Sequence, residues 1–155
     1  MCSFILATLK SKEESVAFFV YLTNDIVDPP DGQTLIFNGV ETNIGNAYDR
    51  NHGVFAAPKN GTYHFAFLAS TPTGSADHSI HLFMKKNGKN EMYIFLDGNT
   101  NYWLQRGASS VLHLAKGDRI WMEVGNSNKH VTLAGHRQSG DAYHTHFSGF
   151  LITAD

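Results

Sequence analysis

Apolar residues in this chain recur at every second position rather than every third or fourth. In Thr62–Ser70 (TYHFAFLAS), Tyr63, Phe65, Phe67 and Ala69 alternate with smaller or more polar neighbours. Side chains alternate across a strand, so these four share one face. Similar short runs follow one another from Ser15 onward, separated by Gly, Asn, Asp and Pro at the spacing of sandwiches and barrels. No segment holds a helical apolar stripe through three turns. The expected fold class is all-β.

The expected strands are Ser15–Thr23, Thr34–Asn38, Glu41–Gly45, Gly53–Ala57, Thr62–Ser70, His78–Lys86, Glu91–Leu96, Leu104–Leu114, Arg119–Gly125 and Thr145–Thr153. Asn87-Gly88 lies between two alternating runs and predicts a hairpin. Residues 1–14 read as an N-terminal segment and 15–155 as one domain. A length of 155 residues suits a single core. Only 17% of residues are charged and 42% are hydrophobic, which argues against disorder. A formal charge of −2 supplies no bulk positive field for nucleic acid or an anionic membrane surface. No apolar run approaches the roughly 20 residues that cross a bilayer, so membrane insertion is not expected. The opening Met1–Ala7 is short and lacks a basic start for a signal peptide. Cys2 cannot form an intrachain disulfide, being the sole cysteine; an idle thiol and an interchain bridge both stay open.

Seven residues form a spaced ladder: Phe37, Asn43, Tyr48, Phe55, Gly61, Tyr63 and Phe65. Leu114–Ile120 (LAKGDRI) precedes a strand, and Phe147-Ser148-Gly149-Phe150-Leu151 closes the chain's apolar pattern. This set resembles the signature of the C1q globular-head family, within the tumour necrosis factor-like jelly rolls. The resemblance covers roughly residues 15 to 154. It implies a ten-stranded jelly-roll sandwich that assembles as a homotrimer. The ladder residues themselves read as fold determinants: alternating aromatics fill a sandwich, Gly61 permits a turn, and Asn43 binds loop backbone. Phe18 and Phe19 point to opposite faces, as do Phe147 and Phe150, so one of each pair is left for a partner subunit. No Gly-X-Y repeat is present. The chain therefore resembles the stand-alone secreted members of invertebrates such as molluscs, which often act as lectin-like or pathogen-recognition proteins.

With strands running up and down, the loops at 24–33, 71–77, 97–103 and 126–143 share one end. Function tends to sit in loops held by a rigid sheet. Carbohydrate binding needs planar hydrogen-bonding groups beside an aromatic platform. Asp97, Asn99, Asn101, Tyr102 and Trp103 offer both, with Asp141 and Tyr143 on a neighbouring loop. The plainer use of Tyr102 and Trp103 is as core or subunit-interface residues, with the Asn and Asp shaping turns.

Asp97, Asn99 and Asn101 also place oxygens on alternate residues, as in the first half of a calcium loop. Tyr102 stands where an EF-hand has its turn glycine and Ala108 where it has its bidentate Glu, which excludes that motif. A looser calcium site stays open, and calcium is the one cofactor considered. Of nine histidines, His144 and His146 are two apart and could share a metal from one strand face. Asn60-Gly61-Thr62 is a glycosylation sequon. No nucleophile elbow, phosphate loop or paired metal motif points to an enzyme. The leading expectation is a non-enzymatic, secreted, trimeric lectin-like domain recognising glycans, N-acetylated sugars among them, on microbial or cell surfaces. A calcium- or heavy-metal-binding extracellular protein and a cytokine-like receptor ligand are the alternatives.

Overall fold

A computed structural model describes residues 14–72, 79–97, 101–127, 131–136 and 142–155. Cys2, His78, Asn99 and Asp141 lie outside the described residues, as does the N-terminal segment up to residue 13.

Two five-stranded antiparallel sheets pack face to face. The first orders its strands β3 (Gly39–Ile44), β1 (Ala17–Tyr21), β12 (His146–Ala154), β6 (Gly61–Thr71) and β9 (Leu104–Leu114). The second orders β4 (Tyr48–Asp49), β5 (Val54–Ala56), β10 (Arg119–Ser127), β7 (Ser79–Lys86) and β8 (Lys89–Asp97). The ten-stranded jelly-roll sandwich is present. A further two-stranded sheet pairs β2 (Ile26–Val27) with β11 (Thr132–Leu133), inside segments expected to be loops.

The alternation decides which face is buried. Tyr63, Phe65, Phe67 and Ala69 all point inward and are buried. Phe18 and Phe147 are buried while Phe150 is 47% exposed, as the opposite-face argument requires. Phe18 is the hub of the core. Its ring lies 5.0 Å from Phe147 in its own sheet and 5.2 Å from Phe55 in the facing one. Aromatic pairs at such distances add about 0.5–1.5 kcal/mol each beyond area burial. At the β7–β8 hairpin Asn87 and Gly88 both have positive φ (50° and 93°), the backbone of a tight primed turn.

Thr34–Asn38 is not a strand. Only Thr34 forms an isolated bridge, to Glu123. Leu35 N–H still donates to Met122 O of β10 at 2.8 Å, but at Phe37 the pairing ends, because the Tyr48 hydroxyl accepts from the Phe37 N–H (3.1 Å) and donates to the Phe37 carbonyl (3.0 Å). A side chain takes the hydrogen bonds that a neighbouring strand would otherwise make. Asn43 holds Tyr48 in turn, donating to its carbonyl (2.9 Å) and accepting from its N–H (3.2 Å). Phe37, Asn43 and Tyr48 thus form one hydrogen-bonded tie. Gly61 has a different role from the turn expected of it. A Cβ there would stand 2.5 Å from the Thr153 carbonyl oxygen, so glycine lets β6 and β12 approach.

Candidate functional site

The two sheets bring several chain segments to one end. Register pairs Tyr21 with His146, Thr71 with Leu104 and Ser79 with Asp97. Backbone bonds then join the connecting segments: Leu22 N–H to Thr145 O, His136 N–H to Leu22 O, and Ala134 N–H to Ser70 O. Ser127 reaches the same assembly, its hydroxyl donating to Pro29 O and its N–H to Asp31.

At this end the Trp103 ring lies 4.9 Å from the His144 ring, tilted by 30°. The contact joins the segment before β9 to the segment before β12. Trp103 keeps 43% of its surface exposed and Tyr102 beside it 78%. Asn101 and Asp97 are exposed on the flanks of residues 98–100. The Trp103 indole and the His144 imidazole thus meet at the surface, with exposed Tyr102 next to Trp103 in sequence.

Tyr143 is not part of that platform. Its ring stacks on Tyr21 at 3.9 Å, and its hydroxyl donates to Glu41 Oε2 at 2.8 Å. The hydrogen bond to the Glu41 carboxylate stabilises the neutral phenol and pushes its pKa up to about 12. Tyr143 belongs instead to the outer face of the first sheet, where Phe19 and His136 touch its ring and His146 packs on Phe19.

His144 and His146 go to different neighbours. His144 sits before the strand against Trp103, whereas His146 begins β12 and packs on Phe19 at 5.2 Å. Burial holds the His146 imidazole below its ordinary pKa. Among the described residues, no three His, Cys, Asp or Glu side chains are grouped to hold a metal ion. Asn60 of the sequon is exposed, and its side-chain oxygen accepts from Lys116 N–H at 2.7 Å.

Two surface features were missed in the sequence. The outer face of the second sheet carries His81, Phe83, Tyr93 and Phe95 in contact, with Tyr93 Oη 3.0 Å from His81 Nδ1. These are the positions of β7 and β8 that alternate with the core residues, so period two would have found them. The other feature is a groove beside β4, β5 and β10, where Arg50 and Arg119 line a cavity of about 480 Å³. Nothing in the sequence spacing links those two arginines.

A family model described as "C1q domain" matches residues 17–152. The chain belongs to the C1q-domain family. The C1q domain is 33% identical to complement C1q tumor necrosis factor-related protein 3 of Homo sapiens, across 152 aligned residues and 90% of this chain. The Mus musculus protein of that name matches to the same extent. The chain spans about half the length of these curated relatives, 52% in each case. Among solved structures, the globular domain of zebrafish complement 1qA superposes with a TM-score of 0.67 at 22% identity, covering 90% of this chain and 99% of that one. Murine APRIL gives 0.61 at 13% identity, covering 90% and 100%. The Eiger TNF of S. frugiperda gives 0.66 at 8%, covering 92% and 96%. These three show the jelly roll that C1q domains share with tumour necrosis factor-like proteins. Among the described residues no helix is long and apolar enough to cross a membrane.

Proposed function

We propose that this C1q domain is a secreted, non-enzymatic recognition module that binds glycans with its loop end and gains strength through multivalency. The observation that carries the reading is the Trp103–His144 contact. An aromatic platform built from two chain segments at the end of a rigid sandwich suits the apolar face of a sugar ring. Tyr102, Asn101 and Asp97 supply hydrogen-bonding groups around it. Asn99 and Asp141 extend the same loops in sequence, whereas Tyr143 acts at a distance by holding the first sheet's outer face.

C1q- and tumour necrosis factor-like domains are typically trimeric. The first sheet offers a surface for such assembly here. Phe150, His64 and Val111 stand side by side across β12, β6 and β9 on its outer face, with Phe150 and Val111 exposed by 47% and 58%. Three linked loop ends raise avidity on repetitive surfaces without any new contact.

A glycan array probed with the assembled protein tests the proposal. Sugar-dependent binding that falls at least about tenfold in Trp103→Ala, with thermal stability retained, is the expected result. Absence of any sugar-dependent binding removes it. A receptor-ligand reading draws on the relatives' family and on the exposed aromatic face of β7 and β8. Its mark is binding to cell-surface protein that survives complete deglycosylation.

A further inference from the structure

The groove flanking β4, β5 and β10 carries a chemistry that the loop end lacks. Two cavities, of about 480 and about 510 Å³, meet at shared walls formed by Val54 and Arg119. Each lies within the roughly 300–1,000 Å³ of small-ligand sites. One arm is lined by Asn46, Asp49, Arg50, Asn51 and Arg119. The other is lined by Trp121, Glu123 and Thr34.

The groove's walls carry two arginines and two carboxylates, and they differ in which of them already have partners. The two carboxylates are already engaged. Asp49 accepts from the Asn51 N–H at 2.8 Å and contacts the His52 ring at 2.6 Å. The Asn51 N–H, together with His52, holds the Asp49 carboxyl below its ordinary pKa. Glu123 accepts from Trp121 Nε1 at 3.0 Å and pairs with Lys85 at 3.7 Å. By contrast, neither Arg50 nor Arg119 forms an ion pair among the described residues. A guanidinium presents a planar fork that matches carboxylate, sulfate or phosphate oxygens bidentately. Two such forks lining one arm of the groove offer an anion two bidentate partners.

The opposite arm specifies what the anion is attached to. The Trp121 indole is half-buried, and its N–H is committed to Glu123 on its own strand. The ring is thus fixed in orientation, with an apolar surface bordering the cavity beside Val54. A fixed indole is a stacking surface for a flat or ring-shaped apolar face.

We propose that this groove is a second ligand site, separate from the loop end, that takes an acidic saccharide. Arg50 and Arg119 bind its carboxylate or sulfate groups, and Trp121 stacks against a neighbouring sugar ring. The site stands whether or not the loop end binds glycans, since the two share no residue.

The test is titration calorimetry on the full chain with three hexasaccharides: hyaluronan (carboxylate only), sulfated heparin and neutral chitohexaose. Acidic probes are expected to bind, and to weaken as NaCl rises from about 50 to about 200 mM. The paired change Arg50→Gln and Arg119→Gln is expected to lower their affinity at least about tenfold, and Arg50→Lys with Arg119→Lys by less. On a Trp103→Phe background, Trp121 is the sole tryptophan, and its emission is expected to change on binding. Unaltered affinity in the glutamine pair, acidic probes binding no tighter than chitohexaose, or unchanged Trp121 emission overturns the proposal. Preference for hyaluronan or heparin decides whether carboxylate or sulfate is the group recognised. Binding of chitohexaose alone, lost in Trp103→Ala, overturns this site while sustaining the loop-end reading.

Discussion

The Tyr48 hydroxyl closes both backbone hydrogen bonds of Phe37, accepting at 3.1 Å and donating at 3.0 Å. Both residues are buried, and burial also raises the Tyr48 pKa. Tyr48→Phe preserves the ring packing against Phe18 but leaves a buried N–H and a buried carbonyl without a partner. Each such group costs about 1–3 kcal/mol, so a loss of about 2–4 kcal/mol is expected in chemical denaturation. Asn43→Ala in the same background should cost less than it does alone, because the two side chains act in one tie.

Gly61 tests the approach of β6 to β12. Gly61→Ala places a methyl group against the Thr153 carbonyl, with Leu151 and Ala154 also close. Overpacking of this kind costs about 1–3 kcal/mol, measurable as a lowered denaturation midpoint. Gly88→Ala meets no atom within 4 Å, so any loss there comes from its positive φ alone.

The outer face of the first sheet is the surface proposed for subunit assembly. Phe150→Glu puts a charge into the Phe150–His64–Val111 row, and a desolvated unpaired charge opposes association strongly. Light scattering coupled to size exclusion should show a trimer for the wild type and monomer for this variant. Far-ultraviolet circular dichroism should be unchanged, since Phe150 is 47% exposed in the single chain.

Acid should weaken the fold through His146. Its folded pKa lies below the ordinary 6.5 because burial disfavours the charged ring. As pH falls through 6.5 the unfolded chain takes up this proton before the folded one does. The stability present above that pH is therefore lost as pH falls toward the folded value. Melting temperatures at pH 7.5 and pH 5.0 should differ less in His146→Gln than in the wild type. Asp49 and Asp118, whose pKa values are lowered, contribute above the ordinary 3.8 and lose that contribution only in more acidic solution.

Period two made the core legible before any coordinates. It put Tyr63, Phe65, Phe67 and Ala69 on one face and split Phe18 from Phe19 and Phe147 from Phe150; burial then shows Phe18 and Phe147 inside and Phe150 outside. It failed at Thr34–Asn38 because alternation reports burial, not who supplies the hydrogen bonds: β10 bonds Leu35, but Tyr48 takes both groups of Phe37. It could not find β2 and β11, since two residues carry no period. The up-and-down argument gathered the right segments at one end, and Trp103 meets His144 there. Tyr143 escaped it because a tyrosine in a loop gives no sign of which sheet face it folds over. The arginine groove escaped for a related reason: Arg50 and Arg119 meet only through the pairing of β5 with β10.

The small β2–β11 ladder has a consequence for ligand capture. It fastens Ile26–Val27 to Thr132–Leu133, while Gly135 N–H donates to Asp25 and Asp28 N–H to Val131 O. Two long connections are thereby clasped into one body that also rests on Ser70. Segments already ordered this way lose little freedom when a ligand arrives, so affinity is not spent on arranging them. Amide exchange should register the clasp as a protected unit spanning Ile26–Asp28 and Val131–Gly135 that opens together.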